Sequence, residues 1–479
     1  MGQEITSTHF TGHDFRVFER RLRDETRLLT EWYESTRLDD GPSMGGFEVE
    51  AWLVNRKLEP FPINQDYIER LGDSLVVPEL AKFNVELNTE PVCLRDQALR
   101  RMERQLQETW DRCKQVADEF NARLAMIGIL PTVREGQLSL INMTPLHRYR
   151  ALNEQVLKHR RGRALELDIR GRETLRTSHR DVMLESATTS FQIHLQVAPR
   201  DARRFYNASI VLSAPMVAMS ANSPYLFGRD LWDETRVPLF EQSVDVTARV
   251  GGSCDHPELH RVTFGSGYVR ESMMECFHEN EHCFHALLPM EMDKYPSSLS
   301  HLRLHNGTIW RWNRPLVGFD RNGCPHLRIE HRVMPAGPSV LDSIANAAFY
   351  FGLVHSLGRE DEPPEERLSF EDARENFYRA SRRGLDSEIV WLEGRRVAMR
   401  ELLLDELLPR AAHGLGMLDI DGDDIQRYLG VVERRVKYGI NGTVWQRAFI
   451  EQNGPGMDAL VAAYLRYQES GLPVVRWPV

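Results

Sequence analysis

The sequence predicts an α+β protein. Three observations lead there: long stretches with apolar residues at helical spacing, short segments alternating apolar and polar residues, and no Gly-rich phosphate loop of the GxxxxGK[ST] or GxGxxG kind. Strands followed by packed helices favour this class over a doubly wound parallel sheet.

The elements follow in order. Residues 13–36 repeat apolar positions at helical spacing. Residues 46–54 (GFEVEAWLV) alternate like a strand, and 83–90 (FNVELNTE) like a second. Residues 94–123 form a long, charge-rich amphipathic helix. Residues 188–197 (TTSFQIHLQV) give a third strand, followed by a helix near 200–220. Residues 326–333 (HLRIEHRV) give a fourth, and 337–357 a buried helix. Beyond Arg359 the run EDEPPEE reads as an exposed connection, and the remainder as mainly helical. The expected division is a catalytic unit over 1–357 with a mainly helical region, 358–479, packed on it.

Composition bounds the function. The 479 residues are 42% apolar and 27% charged, enough for a large core. Acids outnumber bases 70 to 60, and the net charge of −10 disfavours nucleic acid and anionic membrane as partners. The apolar stretch Ile210–Ala221 is too short to span a bilayer and contains Pro215. The N-terminus lacks an apolar signal core; Gly2 and Thr6 fit a loose myristoylation pattern, read as chance. Six cysteines without a CxxC do not make a disulfide framework; Cys93, Cys113, Cys254 and Cys324 read as ordinary thiols. A cytoplasmic enzyme is expected.

The informative feature is the polar side of the four strands. Residues i, i+2 and i+4 share one face. Glu48 and Glu50 lie opposite Phe47, Val49, Ala51 and Leu53. Asn84, Glu86, Asn88 and Glu90 alternate with Phe83, Val85 and Leu87. Gln192, His194 and Gln196 alternate with Phe191, Ile193, Leu195 and Val197. Arg328, Glu330 and Arg332 lie opposite Leu327, Ile329 and Val333. A solvated outer face would carry Thr, Ser, Lys and mixed charge. If the strands are neighbours, Glu48, Glu50, Glu86, Glu90 and Glu330 converge, and like charges that close repel. Mg²⁺ or Mn²⁺ removes the repulsion, with a Gln or His as additional ligand. Mg²⁺ brings phosphates with it, which Arg328 and Arg332 suit bidentately.

These segments resemble the glutamate–cysteine ligase family. GFEVEAWLV is similar to its opening G-x-E-x-E strand and ELAKFNVELNTEP to its second acidic strand. SATTSFQIHLQV and SAPMVAMSANSPYLFGR are similar to its Gln/His strand and the following helix and turn, and LRIEHRVMPAG to its Glu-x-Arg strand. The resemblance covers roughly 45–357 in family order. It implies a glutamine-synthetase-like fold, in which a curved antiparallel sheet backed by helices forms a funnel. It also implies ATP-dependent carboxylate–amine ligation, usually joining the γ-carboxylate of glutamate to cysteine. Glu48, Glu50, Glu86 and Glu330 match metal ligands. His194 matches a metal or nucleotide-site residue, and Gln192 stands where relatives carry another His. Glu90 is expected to complete a cation site, while Glu79 is left as surface. Arg332 matches the arginine that stabilises transferred phosphate, with Glu330 beside it at the catalytic centre. ATP and Mg²⁺ (or Mn²⁺) are the implied cofactors. The implied partners are small molecules, an amino acid and an amine, and a homo-oligomer is compatible.

In GTIWRWNRP (307–315), Arg311 or Arg314 is a candidate clamp for an amino-acid α-carboxylate, with Trp310 or Trp312 as pocket wall; the alternative is a packed Trp-rich turn. His331 separates Glu330 from Arg332 without an assigned role. A competing signal is His278-Glu279-Asn280-Glu281-His282, which satisfies HExxH near Cys276, Cys283 and His285 and points to a zinc-dependent hydrolase. A third reading is a ligase-like scaffold that binds without turnover. Asp419 to Asp424 resembles a calcium loop, but its glycine comes too early; a turn leading into a helix is expected.

Overall fold

The computed structural model describes residues 5–35, 37–246, 259–292 and 295–478, so Gly2 and Cys254 lie outside the described residues. An antiparallel sheet that curls into a half-barrel organises the chain. Its strands are β1 (Met44–Val54), β2 (Val76–Pro78), β3 (Asn84–Asn88), β4 (Val92–Cys93), β5 (Arg123–Ala125), β6 (Ser190–Val197), β7 (Asn313–Phe319) and β8 (Pro325–Pro335). Their order is β7-β8-β6-β1-β3-β2, with β4 and β5 pairing with opposite ends of β1. The four strands legible in the sequence are thus four consecutive neighbours, β8-β6-β1-β3.

The helices that position the site are α1 (Gly12–Glu34), α2 (Ala98–Glu119), α3 (His147–His159), α4 (Pro199–Ser220), α5 (Met274–Cys283), α6 (Ser300–Asn306) and α7 (Val340–Leu357). Local chemistry sets their ends. Thr11 and Asp14 form a capping box that starts α1. The Ser339 hydroxyl accepts from the Asp342 backbone N–H and starts α7. Buried positions in α2 (Leu99, Met102, Leu106, Trp110, Cys113, Ala117) keep helical spacing, so one stripe faces the core.

The apolar face of the sheet packs on α4 and α7. Phe47 on β1 lies 5.1 Å from Phe191 and 6.2 Å from Phe351, centroid to centroid. Helix α7, rather than the 210–221 stretch, is long and apolar enough to cross a membrane, with a mean hydropathy of 1.2. Yet 94% of it is buried inside this fold, where it forms the core beneath the sheet. His331 belongs to this face. It is fully buried, stacked on Tyr350 at 4.4 Å, and away from the polar side.

After residue 357 the chain continues as α8 (Phe370–Arg383), α9 (Leu408–Met417) and α10 (Gly422–Tyr438); the second half of EDEPPEE is not an exposed connection, because Pro363 and Pro364 are buried and Pro364–Arg367 forms a short helix. Helix α9 crosses α7 at glycines: a Cβ on Gly414 would stand 1.8 Å from the Gly352 carbonyl oxygen. The aspartate run resolves as expected, with Asp421 capping α10 through the Asp423 N–H.

Candidate active site

Register puts the polar residues together. Across β1–β3, Glu50 faces Glu86; across β1–β6, Glu48 faces Gln192 and Gly46 faces His194; across β6–β8, His194 faces Glu330. With no side chain on Gly46, the imidazole is reachable from the diagonal position of Glu48. The His194 Nε2 lies 3.1 Å from Glu48 Oε1 and 3.7 Å from Glu330 Oε1. One ligand atom from each of these three buried residues falls within 4.8 Å of the others, the only such trio found among the described residues. Neither ring nitrogen of His194 makes a well-directed hydrogen bond. Two carboxylates and an imidazole suit a hard divalent cation such as Mg²⁺ or Mn²⁺.

Beside this trio lies a second acidic group on one cavity wall: Glu50, Glu79, Glu86 and Glu185. Burial, reinforced by Glu86, pushes the Glu50 carboxyl up to about 7. Burial and Glu50 raise Glu79 to about 7 and Glu185 to about 8. Burial and Glu48 raise Glu86 well above the ordinary range. Carboxyls so raised cannot all ionise unless a cation sits among them. Glu79 is therefore not surface. It follows the end of β2, where its backbone N–H donates to the Asn84 carbonyl, and it lines the cavity; its seven-residue offset from Glu86 gave no alternation signal. Glu185, on a turn before β6, escaped the sequence reading because no periodicity marks a turn residue.

Glu330 is the reverse case. Burial opposes its charge, but the guanidiniums of Arg314 and Arg332 overcome that and hold it well below the usual range. Arg314 donates to both oxygens, from Nε at 2.7 Å and Nη2 at 2.9 Å; Arg332 Nη1 donates to Oε2 at 3.0 Å. Arg332 also donates to Gln192 Oε1, and Gln192 Nε2 donates to Glu50 at 3.0 Å. Gln192 thus spaces the cationic and acidic halves of the site. The β8 backbone at Arg332 is held by buried Arg236, which donates to the carbonyls of Arg332 and Val333 where the register of β8 shifts.

Three expectations need correction. Arg314 is not free to clamp a carboxylate, because β7–β8 pairing sets it opposite Glu330 and a bidentate pair forms. Arg311 is buried away from the cavity, bound to Glu279 and Asn280; Trp310 does line the cavity, while Trp312 is buried and donates to Glu241. Glu90 lies past the end of β3, so its alternation lapses; it lines the larger cavity but is apart from the acidic wall and pairs with Arg321 at 2.9 Å.

The HExxH segment falls on α5, but its glutamate is held by Arg311 and Ser266. His282 Nδ1 donates to the His278 carbonyl at 2.7 Å, and His278 lies 3.3 Å from the Thr30 hydroxyl. Cys283 is disulfide-bonded and offers no thiolate to a metal beside this segment. Nothing there assembles a zinc site among the described residues.

Two cavities meet at this centre. The smaller, about 230 Å³, carries the acidic wall with Arg148, Tyr149, Trp310, Arg314 and Arg332. The larger, about 790 Å³, is lined by main chain at Gly45, Gly46 and Gly318 and by Asn88, His194 and Gln196. Glu48, Arg303 and Arg328 line both.

The profile of Glutamate-cysteine ligase family 2 (GCS2) matches residues 44–463, extending the sequence resemblance into the C-terminal helices. A Rubrobacter xylanophilus protein, provisionally named glutamate–cysteine ligase 2-1, is 27% identical over 432 residues, covering 88% of this chain and 93% of its own. One from Trichormus variabilis, provisionally named glutamate–cysteine ligase 2, is 32% identical over 154 residues, 30% of this chain and 37% of its own. Among solved structures, the glutamate–cysteine ligase of Francisella tularensis in complex with AMP superposes with a TM-score of 0.53 at 10% identity, covering 91% of this chain and 90% of that one. A bifunctional glutathione synthetase from Pasteurella multocida gives 0.50 at 11% identity, covering 92% and 53%. At such identities these two establish a shared fold.

Proposed function

The chain belongs to glutamate-cysteine ligase family 2 and is an ATP-dependent C–N bond-forming ligase; from that premise we propose that it activates the γ-carboxylate of glutamate as an acyl phosphate and joins it to an amine. The observation that carries this reading is the convergence of Glu48, His194 and Glu330 beside Arg332.

Size supports an assignment of the two cavities. The larger accommodates the nucleotide, and the smaller, acid-walled one accommodates the amino acid and the amine. The γ-phosphate and the substrate carboxylate are both anionic and repel one another. Mg²⁺ held by Glu48, His194 and Glu330, and by Glu50, Glu79 and Glu86, would supply neutralisation of that charge and in-line alignment. Arg332 stabilises charge on the equatorial phosphoryl oxygens. Glu330 holds the Arg332 guanidinium in place, and Gln192 fixes its distance from the acidic wall. The amine then attacks the activated carbonyl and phosphate leaves. Burial of the cluster excludes the water that would hydrolyse the acyl phosphate.

The test is phosphate release from Mg-ATP with glutamate, scanned across amines including cysteine, with and without a chelator. Release that requires both an amine and the metal is expected; release indifferent to both would overturn the reading.

A further inference from the structure

Arg328 on β8 and Arg303 on α6 come from different elements, and both line both cavities. Among the described residues, no ion pair or side-chain hydrogen bond engages either guanidinium, although nearly every other arginine around the site is committed. Arg314 and Arg332 are held by Glu330, and Arg311 by Glu279. The Arg328 Nε is buried without a hydrogen-bond partner. Arg303 stays open to the cavity, its guanidinium carbon 5.7 Å from the Phe319 ring centroid. The charged groups that act on Arg328 are Glu48, Glu330, Arg303 and Arg314. The two carboxylates belong to the cation trio, so a metal there would draw them away from Arg328. Two guanidiniums that line one junction, neither of them ion-paired to a carboxylate, form a receptor for an anion.

We infer that Arg303 and Arg328 together clamp the terminal phosphates of the nucleotide at the junction of the two cavities. Arg303 becomes a specificity residue for a polyphosphate over a monophosphate. The clamp sits where the nucleotide cavity opens onto the acid-walled one, so it holds the group about to be transferred rather than the ribose end. Nucleotide as the source of the phosphate rests on the ligase reading above; the clamp itself does not.

The test is calorimetric binding to the full chain with Mg²⁺, using a non-hydrolysable ATP analogue, AMP, tripolyphosphate and glutamate. Arg303→Ala is expected to weaken the ATP analogue and tripolyphosphate at least about tenfold, the loss of a charge-assisted contact. AMP and glutamate are expected to change less than about twofold, and Arg303→Lys to recover part of the loss. Because Arg303 is solvent-exposed, the variant keeps its fold, checked by an unchanged melting temperature. Equal binding of the ATP analogue by wild type and variant overturns the clamp, as does a loss confined to glutamate. Arg303-dependent binding of tripolyphosphate by a wild type that ignores the ATP analogue sinks the ligase reading and keeps the clamp.

Discussion

Arg314 grips both carboxylate oxygens of Glu330, at 2.7 and 2.9 Å, from the adjacent strand. The pair is almost wholly buried, with Glu330 fully so. Removing Arg314 leaves Glu330 only the single guanidinium contact from Arg332, and breaking a buried pair typically costs about 3–5 kcal/mol. Arg314→Met is therefore expected to lower the urea midpoint markedly and to depress turnover with it. An unchanged midpoint would show that the pair is not a stabilising one.

Glu330→Gln keeps the shape but removes the charge that orients Arg332 and completes the cation trio. Turnover of ATP should fall by at least about 10³-fold, the scale of losing a transition-state electrostatic contact together with a metal ligand. Circular dichroism should remain that of the wild type, while the urea midpoint falls because Arg314 loses its carboxylate partner. Full activity in this variant would remove Glu330 from the mechanism.

Glu48→Gln and His194→Asn should each weaken Mn²⁺ binding by at least about 10–100-fold, the loss that removing even an outer partner of a ligand causes in metal sites. Mn²⁺ electron paramagnetic resonance titration reads this without turnover. Chelator should abolish activity in the wild type, and added Mg²⁺ should restore it. Wild-type Mn²⁺ affinity in both variants would move the metal elsewhere.

Burial pushes the His331 imidazole down to about 3 and that of His355 down to about 4. The unfolded chain binds their protons at about 6.5, so it binds more protons than the folded chain below that pH. Stability from these neutral histidines is present above about 6.5 and is lost as pH falls toward 4. Each contributes a slope of up to about 1.4 kcal/mol per pH unit in that window. His355→Gln should flatten the dependence of the urea midpoint between pH 4.5 and 7. An equally steep curve would assign the acid sensitivity to other groups.

A Cβ at Gly414 meets the Gly352 carbonyl, and one at Gly352 meets the Ala411 carbonyl at 2.2 Å. Backbone atoms cannot swing aside as side chains do, so Gly414→Val must part α7 from α9. Overpacking of this kind costs about 1–3 kcal/mol or more. Calorimetry should show a lowered melting temperature, and because α7 underlies the sheet, kcat should fall as well. A variant with native stability would mean that the C-terminal helices tolerate displacement.

The sequence determined by itself what each strand does with its two faces. Alternation in 46–54, 83–90, 188–197 and 326–333 follows from backbone geometry alone, so the carboxylates, His194 and the arginines were legible as one polar surface. It could not say which polar residues would neutralise one another. Arg314 and Arg311 look alike in GTIWRWNRP, and only the pairing of β7 with β8 and the docking of α5 decide that one holds Glu330 and the other Glu279. Glu79, Glu185 and Arg303 sit just past a strand end, on a turn and on a short helix, where no period links side-chain direction to a distant strand. Their roles exist only once register and helix placement bring their charges within reach, because Coulombic pairing depends on distance in space and carries no trace in spacing along the chain.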